Sequence, residues 1–373
     1  MIIVKRCRVL VIFMLLVFVT THAWAQGGVW KKEWAKTLAA AKEEGRLNLY
    51  VFSEGPVTFE TLAAFQKAYP KIKVTSVKGR GSQLVLRVMA ERRAEKYLAD
   101  VYTGGKSSVY SVLYRRKALD PIEPHFILPE VADQSKWWDG KHKYVDPEGK
   151  YIFAFMGNGG ATSVNYNTKL ASPKEFSSLR NLLNPKWKGK IVSMDPRVRG
   201  SFSTNLLFYY HPKFGPEFIR RFYGGMDVTF SRDRRQAVNW LATGKFALCV
   251  PCTSDEIERA IEQGLPIAVY RAIDEAARMT SAGGTLNFMN RAPHPNAARV
   301  FINWLLSREG QILAQKAGSN SLRTDIPKED VDRENLRVKG LDYFDSDNPK
   351  NANPIPVVKL IRKVAGAKVE SQR

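Results

Sequence analysis

The hydrophobic pattern begins with one uninterrupted run. Val9–Val19 (VLVIFMLLVFV) carries no charge, follows Lys5, Arg6 and Arg8, and leads to Ala23-Trp24-Ala25. A basic start, a short apolar run and small residues at both positions a signal peptidase reads predict a signal peptide over 1–25, with Gln26 as the new N-terminus. The run is too short for a bilayer span, which takes ~20 helical residues. Cys7 precedes the apolar run instead of marking the cleavage site, so a lipid anchor is not expected. Past the leader the pattern alternates. Trp30, Trp34, Leu38 and Ala41 recur at helical spacing over 27–45, and Leu47–Phe52 (LNLYVF) reads as a buried strand. Helices over 57–69 and 84–95 then alternate with strands over 72–77 and 99–102. Such alternation predicts a parallel sheet with helical crossovers.

The pattern weakens over 121–150, which reads as a long connection holding Trp137-Trp138, a pair expected to pin the loop more than to stack on a ligand. Strand-like segments at 151–155 and 162–166 flank Gly157, Gly159 and Gly160, a candidate crossing between lobes. A second alternation follows: strands at 190–194, 228–230, 246–250 and 267–270, with helices at 201–210, 216–223, 234–243 and 254–263. Helices over 295–307 and 309–317 and a basic tail complete the chain.

Length turns this pattern into two lobes. The 373 residues exceed, even without the leader, the roughly 250–300 at which single cores stop growing. The expected division is 26–157 for the first lobe, 158–278 for the second, and 279–373 for a return to the first lobe and C-terminal helices. The formal charge of +22 favours anionic partners. The basic residues are dispersed, as in Arg92-Arg93, Arg115-Arg116-Lys117 and Arg232–Arg235, with acids interleaved, and no nucleic-acid motif accompanies them. Most of the charge therefore reads as solvated surface, the rest as attraction for an anionic ligand or membrane surface; nucleic acid is not an expected partner.

Three strand-to-helix junctions carry the candidate chemistry: Ser53-Glu54-Gly55, Gly79-Arg80-Gly81-Ser82 and Arg197-Val198-Arg199-Gly200-Ser201. Each offers free N–H groups at a helix start, where the dipole favours anions, and such junctions line the ligand crevice of open α/β sheets. Gly79-Arg80-Gly81 begins like a dinucleotide fingerprint, but Leu84 stands where the last glycine belongs. Cys249-Val250-Pro251-Cys252 lies where a strand hands over to a helix. It fits a disulfide or buried thiols, a ligand-lining pair, or less readily a redox or metal site, since no second C-x-x-C exists. Tyr209-Tyr210-His211 resembles a metal cluster, but adjacent helical residues diverge by about 100° and apolar neighbours suggest packing. Neither G-x-S-x-G nor H-E-x-x-H occurs, and His125, His142, His211 and His294 have no acid beside them, so an enzyme is not expected.

Ala90-Glu91 through Ala99-Asp100-Val101-Tyr102, Val164-Asn165-Tyr166-Asn167-Thr168, and above all Ala292 through Gln311 with Arg323-Thr324-Asp325 resemble the periplasmic solute-binding proteins of ABC importers, specifically the ferric-ion-type, family 1 extracellular group. The resemblance implies a type II periplasmic-binding-protein fold: two α/β lobes joined by crossing segments, with the ligand in a cleft. It implies a receptor that hands a small polar solute, an anion or a metal chelate, to an inner-membrane permease. The candidate contacts are Ser53, Glu54, Gly81 and Ser82 from the first lobe and Arg197, Arg199, Ser201, Cys252 and Ser254 from the second. Ferric members use adjacent tyrosines after a second-lobe strand; the matching positions here are near Thr253-Ser254-Asp255, without tyrosine. A ferric receptor is the alternative reading, and an exported thiol enzyme using Cys249 and Cys252 a further one. A monomer in a Gram-negative periplasm is expected, with no cofactor and no resident metal.

Overall fold

The computed structural model describes residues 28–176, 178–196, 202–252, 254–281 and 283–366. The predicted leader, Arg197, Arg199, Ser201 and Thr253 lie outside them. By contact the described residues form two units, one of 28–156 with 283–330, the other of 157–281 with 331–366. The chain begins in unit 1 with strands β1 (Arg46–Phe52), β2 (Lys73–Gly79), β3 (Val101–Gly104), β4 (Leu119–Asp120), β5 (Lys143–Tyr144) and β6 (Phe153–Ala154). Unit 2 holds β7 (Asn158–Asn167), β8 (Ile191–Met194), β9 (Thr229–Ser231), β10 (Leu248–Cys249), β11 (Ile267–Ala272) and β12 (Ala277–Thr280). The chain returns to unit 1 for β13 (Thr285–Met289) and to unit 2 for β14 (Phe344–Asp345).

Unit 1 is built on a sheet ordered β2-β1-β3-β13-β6-β5, with β4 also on β13. β1 runs parallel to β2 and β3, and β13 antiparallel to β3 and β6. Leu47, Leu49 and Val51 alternate inward along β1, which makes it a central strand, whereas β2 is an exposed edge. The helix Phe59–Ala68 starts at a capping box between Thr58 and Thr61 and buries Phe65, whose ring packs 5.1 Å from Phe301 and 5.3 Å from Trp304. Those two rings sit on Pro295–Leu306, a helix with nine buried residues. The same helix organises the stretch read as a long connection. Buried Asn303 accepts from the Ile127 and Leu128 amides and donates to the His125 carbonyl. Trp137, 1 % exposed, stands edge-on to His142 and Phe153. It pins the connection, as expected.

Unit 2 has a sheet ordered β14-β12-β7-β10-β8-β9, with β11 also on β7. β7 is antiparallel to β10, β11 and β12, while β8 is parallel to β9 and β10. Phe208, Phe218, Phe222, Tyr223 and Phe230 form an aromatic core against one face. The helix Pro354–Ala365 seats Val357, Ile361 and Ala365 in that core, one turn apart. Two corrections follow. After Asp330 the chain packs with unit 2 instead of remaining in the first lobe, and the basic tail is this amphipathic helix up to Ala365. Asn353 caps it by accepting from the Ile355 amide, and Pro354 and Pro356 occupy the first turn, where amides need no helical partner.

Candidate functional site

The register of the parallel strands decides which loops meet. In unit 1, Phe52 pairs with Gly79 and Val51 with Thr103, so β1, β2 and β3 end level. Ser53-Glu54, Arg80-Gly81-Ser82 and Gly105-Lys106-Ser107-Ser108 leave the sheet from this common edge. The Ser53 amide donates to the Gly79 carbonyl at 3.1 Å. Gly81 opens the helix Gly81–Arg93, whose N-cap, Arg80, makes no side-chain cap. A Cβ on Gly81 would stand 3.0 Å from the Ser108 hydroxyl, so glycine permits the two loops to approach. Tyr102 supports them from below, its hydroxyl donating to the Gly81 carbonyl at 3.3 Å. The four first-lobe candidates, Ser53, Glu54, Gly81 and Ser82, thus share one edge. Gly104–Ser108 belongs with them and was missed. Its signal was present: T-G-G-K-S-S runs from the end of the third strand into the next helix start, a junction of the same kind.

In unit 2 the parallel strands β10, β8 and β9 also end together. The Met194 amide donates to the Pro251 carbonyl and the Asp195 amide to the Ser231 carbonyl. This edge therefore collects Asp195, Arg232 and Pro251-Cys252, with Ser254 beginning the helix Ser254–Glu262. Asp195 is fully buried and pairs with Arg232 at 3.0 Å. Asp233 caps Arg234–Ala242 by accepting from the Arg235 and Gln236 amides. Arg197, Arg199 and Ser201, outside the described residues, follow Asp195-Pro196 in the chain. The Asp195–Arg232 pair also escaped the sequence reading, because its partners are far apart in the chain and meet only through the β8–β9 register.

Other candidates resolve into structural roles. The Tyr209 and Tyr210 rings lie edge to face at 4.8 Å beside the aromatic core, and the Tyr210 hydroxyl donates to the Asn353 carbonyl. His211 Nδ1 accepts from the Lys213 amide. The packing reading of this trio holds. His294 does have an acid partner: its Nδ1 lies 2.9 Å from buried Asp100, which also accepts the Asn48 and His294 amides. Burial raises the Asp100 pKa, against the opposing pull of those hydrogen bonds. The pair ties β1 to the start of Pro295–Leu306, and the sequence could not show it. Among the described residues no group of three His, Cys, Asp or Glu side chains is placed to hold a metal, and no helix is long and apolar enough to cross a membrane.

Cys249 and Cys252 form a disulfide, with Cα atoms 5.6 Å apart. The bond ties the buried end of β10 to the loop before Ser254–Glu262. So small a ring constrains the unfolded chain modestly. Reduction should lower stability by about 2 kcal/mol, read as the difference in Tm with and without reductant; an unchanged Tm contradicts a structural role.

Residues 60–334 match the family model for bacterial extracellular solute-binding proteins. A protein of Haemophilus influenzae, named only as uncharacterized, is 22 % identical over 294 residues, 75 % of this chain and 78 % of its own. Among solved structures, the Bordetella ferric binding protein is similar with a TM-score of 0.63 and 17 % identity, over 86 % of this chain and 98 % of that one. The Trichodesmium protein solved with iron and citrate scores 0.60 at 18 % identity, over 86 % and 99 %. The Actinobacillus pleuropneumoniae protein AfuA, solved with fructose-6-phosphate, scores 0.51 at 19 % identity, over 86 % and 97 %. At these identities the structural likeness speaks for the fold. The sequence match spans most of the described chain, and this protein belongs to the bacterial extracellular solute-binding proteins.

Proposed function

We propose that this chain is the receptor of an ABC importer: it captures a small polar solute, an anion or a metal chelate, outside the inner membrane and delivers it to the permease. One observation carries the reading. In each unit by itself, three parallel strands end level, and the loops leaving them run into helix starts. Exposed amides and the positive end of the helix dipole favour anionic or strongly polar groups there. The proposed contacts are Ser53, Glu54, Gly81 and Ser82 in unit 1, joined by Gly105–Ser108. In unit 2 they are Arg197, Arg199, Ser201, Cys252 and Ser254. Binding without catalysis fits a family of binding proteins, and a leader over 1–25 would place the receptor, as a monomer, in a Gram-negative periplasm.

The related folds include a ferric binding protein from Bordetella and AfuA with fructose-6-phosphate bound, so loop chemistry, not architecture, selects the solute. A thermal-shift screen of the mature chain against ferric citrate, inorganic phosphate, sugar phosphates, dicarboxylates, thiamine and polyamines tests the reading. A true solute at 100 times its Kd should stabilise the protein by about 2.7 kcal/mol. If no solute of any class raises the Tm, the receptor reading fails. A visible charge-transfer band on adding ferric ion would select the ferric reading.

A further inference from the structure

The partly or fully buried arginines of this protein generally have acceptors. Arg323 is held by Asp325 and two carbonyls, Arg299 by Glu33, and Arg92 by the carbonyl and side chain of Asn290. Arg337 donates to the Gly157 carbonyl. Arg278 differs. It sits within β12, in register with Gly160 of β7 and Phe344 of β14. Among the described residues its side chain has no hydrogen-bond or ion-pair partner. Burial pushes its pKa down and no carboxylate pulls it back.

The surroundings leave the guanidinium open on one flank. A Cβ on Gly160 would stand 4.0 Å from Arg278 Nε, so the facing strand covers the group with bare backbone. Both strands lie beside the points where the chain changes unit, β7 just after Met156 and β12 just before Ser281. Arg278 is half-buried, and a partly desolvated guanidinium gains from a counter-ion. Its donors form a rigid fork that suits the two oxygens of a carboxylate or phosphoryl group. We propose that Arg278 is an anion anchor, taking a carboxylate or phosphoryl group of the solute as its missing counter-ion. The inference deepens the receptor reading and rests on it.

The test uses the full mature chain, with inorganic phosphate and citrate as separate titrants in calorimetry. Arg278→Met keeps the length of the side chain and removes the fork; Arg278→Lys keeps only the charge; Arg362→Met removes one exposed charge from the helix Pro354–Ala365 as a control. The expected result is at least tenfold weaker binding of the preferred anion by Arg278→Met, a partial loss in Arg278→Lys, and a change of no more than about twofold in Arg362→Met. Should Arg278→Met fail to fold, the partial loss in Arg278→Lys carries the test. Unchanged affinity in the Arg278 variants, or an equal loss in Arg362→Met, overturns the anchor. So does a wild type that ignores both anions and binds a cationic or neutral solute, an outcome that leaves the receptor reading standing. Failure to bind any solute class would defeat both.

Discussion

Gly310→Ala should destabilise this protein by roughly 3 kcal/mol or more, the largest effect expected of any single added methyl group. Gly310 is the third residue of the helix Arg308–Gln315, which follows Pro295–Leu306 after one intervening residue, Ser307. A Cβ there would lie 2.1 Å from the Trp304 carbonyl oxygen and 2.7 Å from the Leu305 Cα and carbonyl oxygen. These are backbone atoms at the end of a buried helix, so no side chain can swing aside. Ser307 locks the same corner: its hydroxyl donates to the Trp304 carbonyl at 2.7 Å and accepts from the Gly310 amide. Relief would require the two helices to part at this corner. Denaturant unfolding followed by circular dichroism reads the loss. A variant within about 1 kcal/mol of wild type would mean that the corner opens freely, contrary to its packing.

Arg323→Met should cost about 1–3 kcal/mol, the range for leaving buried acceptors unsatisfied, since its carboxylate partner Asp325 lies at the surface. Arg323 is 1 % exposed and grips Asp325 through two parallel bonds of 2.8 and 2.7 Å. Its remaining donors reach the Leu306 and Glu130 carbonyls, and its guanidinium lies over the Trp137 ring. One side chain therefore joins the end of Pro295–Leu306, the turn at Glu130 and the loop pinned by Trp137. The loss also depends on pH. The Arg323 hydrogen bond holds the Asp325 pKa below its ordinary 3.8. An acid depressed in the folded state contributes stability above its unfolded pKa and loses it as the pH falls through the folded one. The wild-type advantage over Arg323→Met should therefore be full at pH 7 and shrink below about pH 4. A Tm gap that stays constant to pH 3 would assign the cost to lost packing alone.

Both residues lie in segments that carry the family resemblance, yet the sequence showed only that they were there. Nothing in the residues beside Gly310 or Arg323 shows what either one touches. The elements themselves were legible. Trp30, Trp34 and Leu38 at helical spacing, and Leu47, Leu49 and Val51 at period two, mark local patterns that read without knowledge of the rest. β13 was not legible. Thr285–Met289 is buried on both faces, so no alternation marks it, and it pairs with β3, far away in the chain. The final helix was masked by two prolines and a basic composition, although Val357, Ile361 and Ala365 carry its spacing.

The same division runs through the candidate site. The sequence alone determined that strands hand over to helices at Ser53-Glu54 and Gly81-Ser82, with Cys252 and Ser254 at a third such junction, because turn residues and helix starts are written locally. Which junctions share an edge was decided by strand register, through pairings such as Phe52 with Gly79 and Met194 with Ser231. The tertiary structure alone decided that Asp195 would meet Arg232, that His294 would meet Asp100, and that Arg278 would meet no acid among the described residues. Charge is a property of each residue, but pairing and desolvation belong to its neighbours, and those come from distant parts of the chain.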